Sequence, residues 1–177
     1  MSSALLIIDM QQELCFGGEA AFEARRVVER INIVSAKARA AHIPVFMIQH
    51  EEEEGALQHG SEGWQLAQGL ATAPSDLHVR KHTPDSFHQT PLQALLEERG
   101  ITSLAICGLQ SDFCVDTTTR RALALGYPVT LVTDGHSTVD NGVLPAAQIS
   151  AHHTRTLSNI GSFGPRVTPL MAAEVQF

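Results

Sequence analysis

Short apolar runs that alternate with stretches of helical period restrict this chain's fold more than any other feature. Ala4 to Ile8 and Val45 to Ile48 are apolar at every position, as strands buried on both faces must be. Leu77 to Arg80, Leu104 to Cys107 and Pro128 to Val132 read as three more strands, and Arg166 to Thr168 as a weak last one. Between them lie helical patterns. From Ala21 to His42, the residues Val27, Ile31, Val34, Ala38 and Ala41 recur at threes and fours. Pro91 opens a helix carrying Leu92, Leu95 and Leu96, with Gly100 closing it. Asp112 to Leu125 and Pro145 to Ile160 read as two further helices. Loops are expected over Met10 to Gly18, Gln49 to Ala73, His82 to Thr90 and Asp134 to Asn141. Strand and helix in strict alternation imply an α/β fold, a parallel sheet with helices on both faces and right-handed crossovers.

The 177 residues suit one domain over 1–177, and no composition shift or internal repeat divides them. A hydrophobic share of 44% against 18% charged residues fits a globular chain. The net charge of −7 speaks against nucleic acid as a partner, because phosphate binding needs clustered positive charge. The three cysteines, Cys15, Cys107 and Cys114, cannot all pair and form no C-x-x-C. Free thiols suit a reducing compartment. The first apolar run has no basic residue ahead of it and is cut by Asp9, so neither a signal peptide nor a membrane span is expected. The cytoplasm is the expected location.

In an open α/β sheet, ligands bind outside the carboxyl ends of the strands. Three reactive side chains fall there: Asp9 after the first strand, Lys81 after the third and Cys114 after the fourth. Each has an ordinary explanation taken alone, as a cap, a solvated cation or buried filler. Together they supply a chemistry. Only the thiolate of cysteine attacks a carbonyl, and a helix start and a nearby ammonium both favour that anion. A carboxylate can take the thiol proton and return it to a leaving amine. The same helix start offers backbone N–H groups to an oxyanion. Such a set performs acyl transfer without metal.

The run LLIIDMQQ, then Lys81, then Ser86-Phe87-x-x-Thr90-x-Leu92, then GLQSDFCVDTTTRRALALGYPV and VTDGHST, resembles the isochorismatase-like cysteine hydrolases over almost the whole chain. The resemblance implies a three-layer α/β/α sandwich on a six-stranded parallel sheet, assembled into homodimers or homotetramers. It implies that Asp9, Lys81 and Cys114 form a catalytic triad. It also implies a cis peptide at Leu109–Gln110, and an oxyanion hole of the Gln110 and Cys114 N–H groups. The metal-dependent nicotinamidases of the family carry an Asp-x-His pair after the second strand. Here Gln49-His50 stands there, followed by Glu51 to Glu54, with His59 beyond. No metal and no cofactor are therefore expected, although His50 and His59 with a glutamate remain an alternative. Gln110-Ser111-Asp112 and Gly60-Ser61-x-Gly63-Trp64 look closer to the amidase-like members, some of which hydrolyse cyclic amides such as the streptothricin lactam.

Phe16, Trp64 and Phe87 lie in loops at the expected active edge and are candidates, with His50, to line a pocket for a small substrate. Core packing is the competing role for the three aromatics. Asp134 and Cys15 are placed near enough to the edge to approach it, with capping and passive burial as their alternatives. Cys107 lies inside a strand and should be inert. His152 and His153 fall in the last helix without a motif.

The expected function is hydrolysis of a C–N bond in a small amide through a Cys114 thioester. An isochorismatase-type vinyl-ether hydrolysis is the second reading, and a non-catalytic binding domain the third. A phospho-receiver fits poorly, since its Asp follows the third strand, where this chain has Lys81.

Overall fold

The computed structural model describes residues 2–177. Six strands form one sheet: β1 (Ser3–Ile8), β2 (Val45–His50), β3 (Leu77–Lys81), β4 (Ser103–Leu109), β5 (Val129–Ser137) and β6 (Val167–Leu170). Five helices connect or flank them: α1 (Gln12–Phe16), α2 (Ala24–Ala40), α3 (Leu92–Glu98), α4 (Cys114–Ala124) and α5 (Ala146–Ser158). The strand order is β3-β2-β1-β4-β5-β6, and every neighbouring pair is parallel. The α/β fold with a six-stranded parallel sheet is therefore as the sequence implies.

Strand side chains point alternately to the two faces, and each face carries its own core. Leu6, Ile8, Ile48, Leu104 and Ile106 pack with Leu92, Leu96, Val115, Leu123 and Leu157 of α3, α4 and α5. Leu5, Ile7, Met47, Ala105 and Cys107 pack with Val27, Ile31, Val34 and Ala38 of α2 and with Cys15 of α1. Leu5 to Ile8 are at most 1% exposed, and each such side chain gains about 2 kcal/mol from leaving water. That is why these runs have no polar alternation.

Strand order reverses between β1 and β4, so the crevice at their carboxyl ends is the topological switch point where such folds bind ligands. Gly108 makes the close approach of these strands possible. Its φ is +119°, and a Cβ there would lie 2.0 Å from the Ile8 carbonyl oxygen. Only glycine fits.

Three expectations need correction. Met10 to Gly18 is not all loop, because Gln12–Phe16 forms α1, a single turn too short to show helical period. β5 does not end at Val132 but runs on to Ser137, taking up positions expected in the loop Asp134 to Asn141. After a register shift its far end pairs with β4, His136 opposite Gly108 and Ser137 opposite Leu109. The extension is buried through side-chain hydrogen bonds rather than apolar contacts, so hydropathy does not reveal it. The helix expected from Asp112 starts at Cys114, with Phe113 as its N-cap. No helix among the described residues is long and apolar enough to cross a membrane.

Candidate active site

Each of the three reactive residues is placed by the end of an element. Asp9 leaves β1 with φ +50°, a left-handed conformation that Asp tolerates better than most residues. Its N–H still donates to the Ile48 carbonyl at 2.8 Å. Lys81 is the last residue of β3, two strands away. Cys114 is the first residue of α4, reached from β4 through the turn Gln110 to Phe113. The three meet. Lys81 Nζ donates to Asp9 Oδ2 at 2.7 Å and to Cys114 Sγ at 3.2 Å. Asp9 and Lys81 are each 1% exposed. Asp9 Oδ1 is buried and has no hydrogen-bond partner, which leaves an acceptor beside the thiol.

The sequence reading has the helix start and Lys81 favour the anion of Cys114, but burial and Asp9 work against them. Burial and then the Asp9 carboxylate push the Cys114 thiol up to about 12, against the pull of Lys81. Burial alone would lower the Lys81 ammonium, but Asp9 and Cys114 outweigh it and the net direction is up. Lys81 thus stays charged and committed to Asp9, while Cys114 stays a thiol. A thiol raised in this way would need its proton removed during attack to act as a nucleophile.

The Leu109–Gln110 peptide is cis. The Gln110 carbonyl accepts from the N–H groups of Phe113 and Val115, each at 3.1 Å. Among the described residues neither the Gln110 N–H nor the Cys114 N–H donates to a group of the protein. A cavity of about 270 Å³ opens here. Asp9, Cys114, Gln110, His50 and Glu52 line it on the polar side, and Leu14, Leu57, Pro84 and Phe113 on the apolar side. Burial, then Lys81, hold His50 below the usual imidazole range, against Asp9 and Glu52.

The isochorismatase domain matches residues 3–159. The chain belongs to the isochorismatase family. Two streptothricin hydrolases of Streptomyces noursei resemble this family member over 145 residues, or 81% of its length, at 41% and 39% identity. The match covers 51% and 56% of those proteins, so the chain spans about half the length of these curated relatives. The crystal structure of an isochorismatase family protein superposes with a TM-score of 0.86 at 40% identity, covering 95% of this chain and 97% of the other.

Of the four residues expected to line a pocket, this family member brings only His50 to the cavity with Cys114. Phe87 is a correction: it is 6% exposed and stacks on Tyr127 inside the core. Its backbone is tied by an N–H to Asp85 Oδ1 bond at 2.8 Å, which turns the loop inward. Phe16 lies under the Arg25 guanidinium, 5.1 Å away, and lines a separate depression with Gln12 and Glu62. The Trp64 ring packs edge-on against His59. Its useful atom is the carbonyl, which accepts from Gln11 at 3.0 Å and Gln49 at 2.9 Å.

Other candidates also resolve. Asp134 accepts from the Ala172 N–H at 2.7 Å and faces Arg30 at 3.3 Å, so it holds the C-terminal segment. Cys15 is buried, and burial pushes its thiol up to about 12. Cys107 is fully buried and its thiol is pushed up for the same reason. His59 is drawn to Trp64 rather than to His50, and among the described residues no group of three or more His, Cys, Asp or Glu is placed to hold a metal. Glu52, Leu14, Leu57, Pro84 and Phe113 are cavity residues that sequence reasoning missed. Phe113 was legible, since it precedes Cys114 directly. Leu14 and Glu52 were hidden in stretches read as loops, Glu52 within a run of four glutamates.

Proposed function

We propose that this isochorismatase-family chain hydrolyses the C–N bond of a small amide through a thioester on Cys114. The observation that carries the reading is the single ammonium of Lys81 bonded to both Asp9 and Cys114, with Asp9 Oδ1 left free. Cys114 Sγ attacks the amide carbonyl carbon as its proton passes to Asp9 Oδ1. The Gln110 and Cys114 N–H groups donate to the oxyanion. Asp9 returns the proton to the nitrogen, the C–N bond breaks, and the amine or ammonia departs. Water then attacks the thioester, giving its proton to Asp9. The tetrahedral adduct collapses to the carboxylic acid, and Asp9 restores the proton to Cys114. Lys81 keeps its proton throughout and fixes Asp9. The streptothricin hydrolase relatives support an amide as the bond cleaved, and the small cavity suits a compact substrate.

The test is amine or ammonia release from a panel of small amides, ureides and lactams. At least one member should be turned over by the wild-type chain and slowed by about 1,000-fold or more in Cys114→Ala. Undiminished turnover by Cys114→Ala would count against the thioester route.

A further inference from the structure

The charges at the cavity mouth do not cancel. Asp9 is neutralised by Lys81 at 2.7 Å, with both side chains buried. Glu52 has no such partner. Its nearest basic group is His50 Nε2 at 3.9 Å, and His50 is held toward its neutral form by burial and by Lys81. Among the described residues no lysine or arginine lines the cavity. The Glu52 side chain is 55% exposed, but its backbone is anchored by an N–H bond to Leu57 at 3.1 Å and a bridge to Gln58. The backbone thus holds Glu52 at the rim, where its carboxylate faces only His50. The net charge of −7 adds a long-range field of the same sign. Leu14, Leu57, Pro84 and Phe113 form the apolar side of the wall.

We infer that Glu52 sets the charge class of the substrate: a compact uncharged acyl part seated against Leu14, Leu57 and Phe113, with a cationic arm such as an ammonium at the Glu52 rim. This rests on the reading of the cavity as the acyl-transfer site. A substrate with carboxylates next to the scissile bond meets no free cation here, which disfavours a dicarboxylate such as isochorismate. A like charge at this rim is repelled, and added salt weakens that repulsion.

Methanethiosulfonates of different charge test this without knowledge of the substrate. The 2-aminoethyl, methyl and 2-sulfonatoethyl reagents carry a cation, no charge and an anion. Their rates of modifying Cys114 are read by intact mass and divided by their rates with free cysteine, with Cys114→Ala as the blank. The cation should outrun the anion by about tenfold or more. Glu52→Gln should shrink that ratio, and Glu52→Lys should invert it. Circular dichroism would confirm that these surface variants fold. Equal rates for cation and anion, or a ratio unchanged in Glu52→Lys, would overturn the inference, as would failure of all three reagents to reach Cys114. The amide panel reports separately. A charge preference without any amide turnover would sink the hydrolase reading alone, and turnover without a charge preference would sink only the role of Glu52.

Discussion

At the residue scale the site turns on where one proton sits. A helix start and a lysine next to a cysteine suggest a thiolate, but Cys114 is buried beside the Asp9 carboxylate and its thiol is pushed up to about 12. The ammonium of Lys81 donates to both partners, and its shorter contact is with Asp9, at 2.7 Å against 3.2 Å. Iodoacetamide, which needs no help from Asp9 in positioning a substrate, reads this balance. Its rate with Cys114 should climb about tenfold per pH unit from 7 to 10, because the thiolate fraction keeps rising until pH passes the pKa. A plateau starting near neutral pH would show a standing thiolate instead.

At the element scale, the site depends on how closely β1, β4 and α4 are held. Gly108 lets β4 meet the Ile8 backbone, and a Cβ would be 2.0 Å from that oxygen in a φ of +119°. Gly108→Ala should cost about 3 kcal/mol or more in denaturant unfolding and should reduce activity beyond the loss of folded protein. The amino end of α4 is fastened from the other side. Ser86 Oγ lies 2.8 Å from Thr118 Oγ1, and the Ser86 N–H donates to the same hydroxyl at 3.1 Å. Thr90 Oγ1 donates to the Ser86 carbonyl at 2.6 Å, and the Phe87 ring is buried beneath. The motif Ser86-Phe87-x-x-Thr90-x-Leu92 is thus a brace for the helix that carries Cys114, and its aromatic belongs to the core rather than to the substrate. The long connection after β2 is held likewise by Gln11. Its side chain bonds the His50 backbone on both sides, N–H to Oε1 at 2.9 Å and carbonyl to Nε2 at 2.8 Å.

At the scale of the whole molecule, the alternation of elements was legible because a parallel strand buried on both faces leaves no room for polar residues. The meeting of Asp9, Lys81 and Cys114 was legible because strand ends in such a sheet share one edge. What hydropathy missed is polar and buried. The end of β5 is one case: His136 is 5% exposed, and its ring lies 2.7 Å from Ser111 Oγ and 2.9 Å from Thr154 Oγ1. Glu52 was missed for a different reason: its side chain is 55% exposed, and a run of four glutamates reads as solvated whichever of them reaches a cavity. The buried His136 gives the molecule an acid limit. Burial, then His153, lower its pKa to about 4, against Asp134, from an ordinary value near ~6.5 in the unfolded chain. Between these values the unfolded chain binds more protons, so stability rises with pH. The contribution is full above about pH 6.5 and is lost as pH falls toward 4, by on the order of 3 kcal/mol. Urea unfolding at pH 7.5 and 4.5 should show that loss, and His136→Asn should flatten it.

Cys114 should carry the acyl group during the reaction, and quenched-flow mass spectrometry of the enzyme during turnover of an amide substrate tests that most directly. The chain should gain the mass of the acyl group on Cys114, and hydroxylamine should release it as the hydroxamate. Turnover of the same amide with no adduct on Cys114, at times shorter than one catalytic cycle, would contradict it.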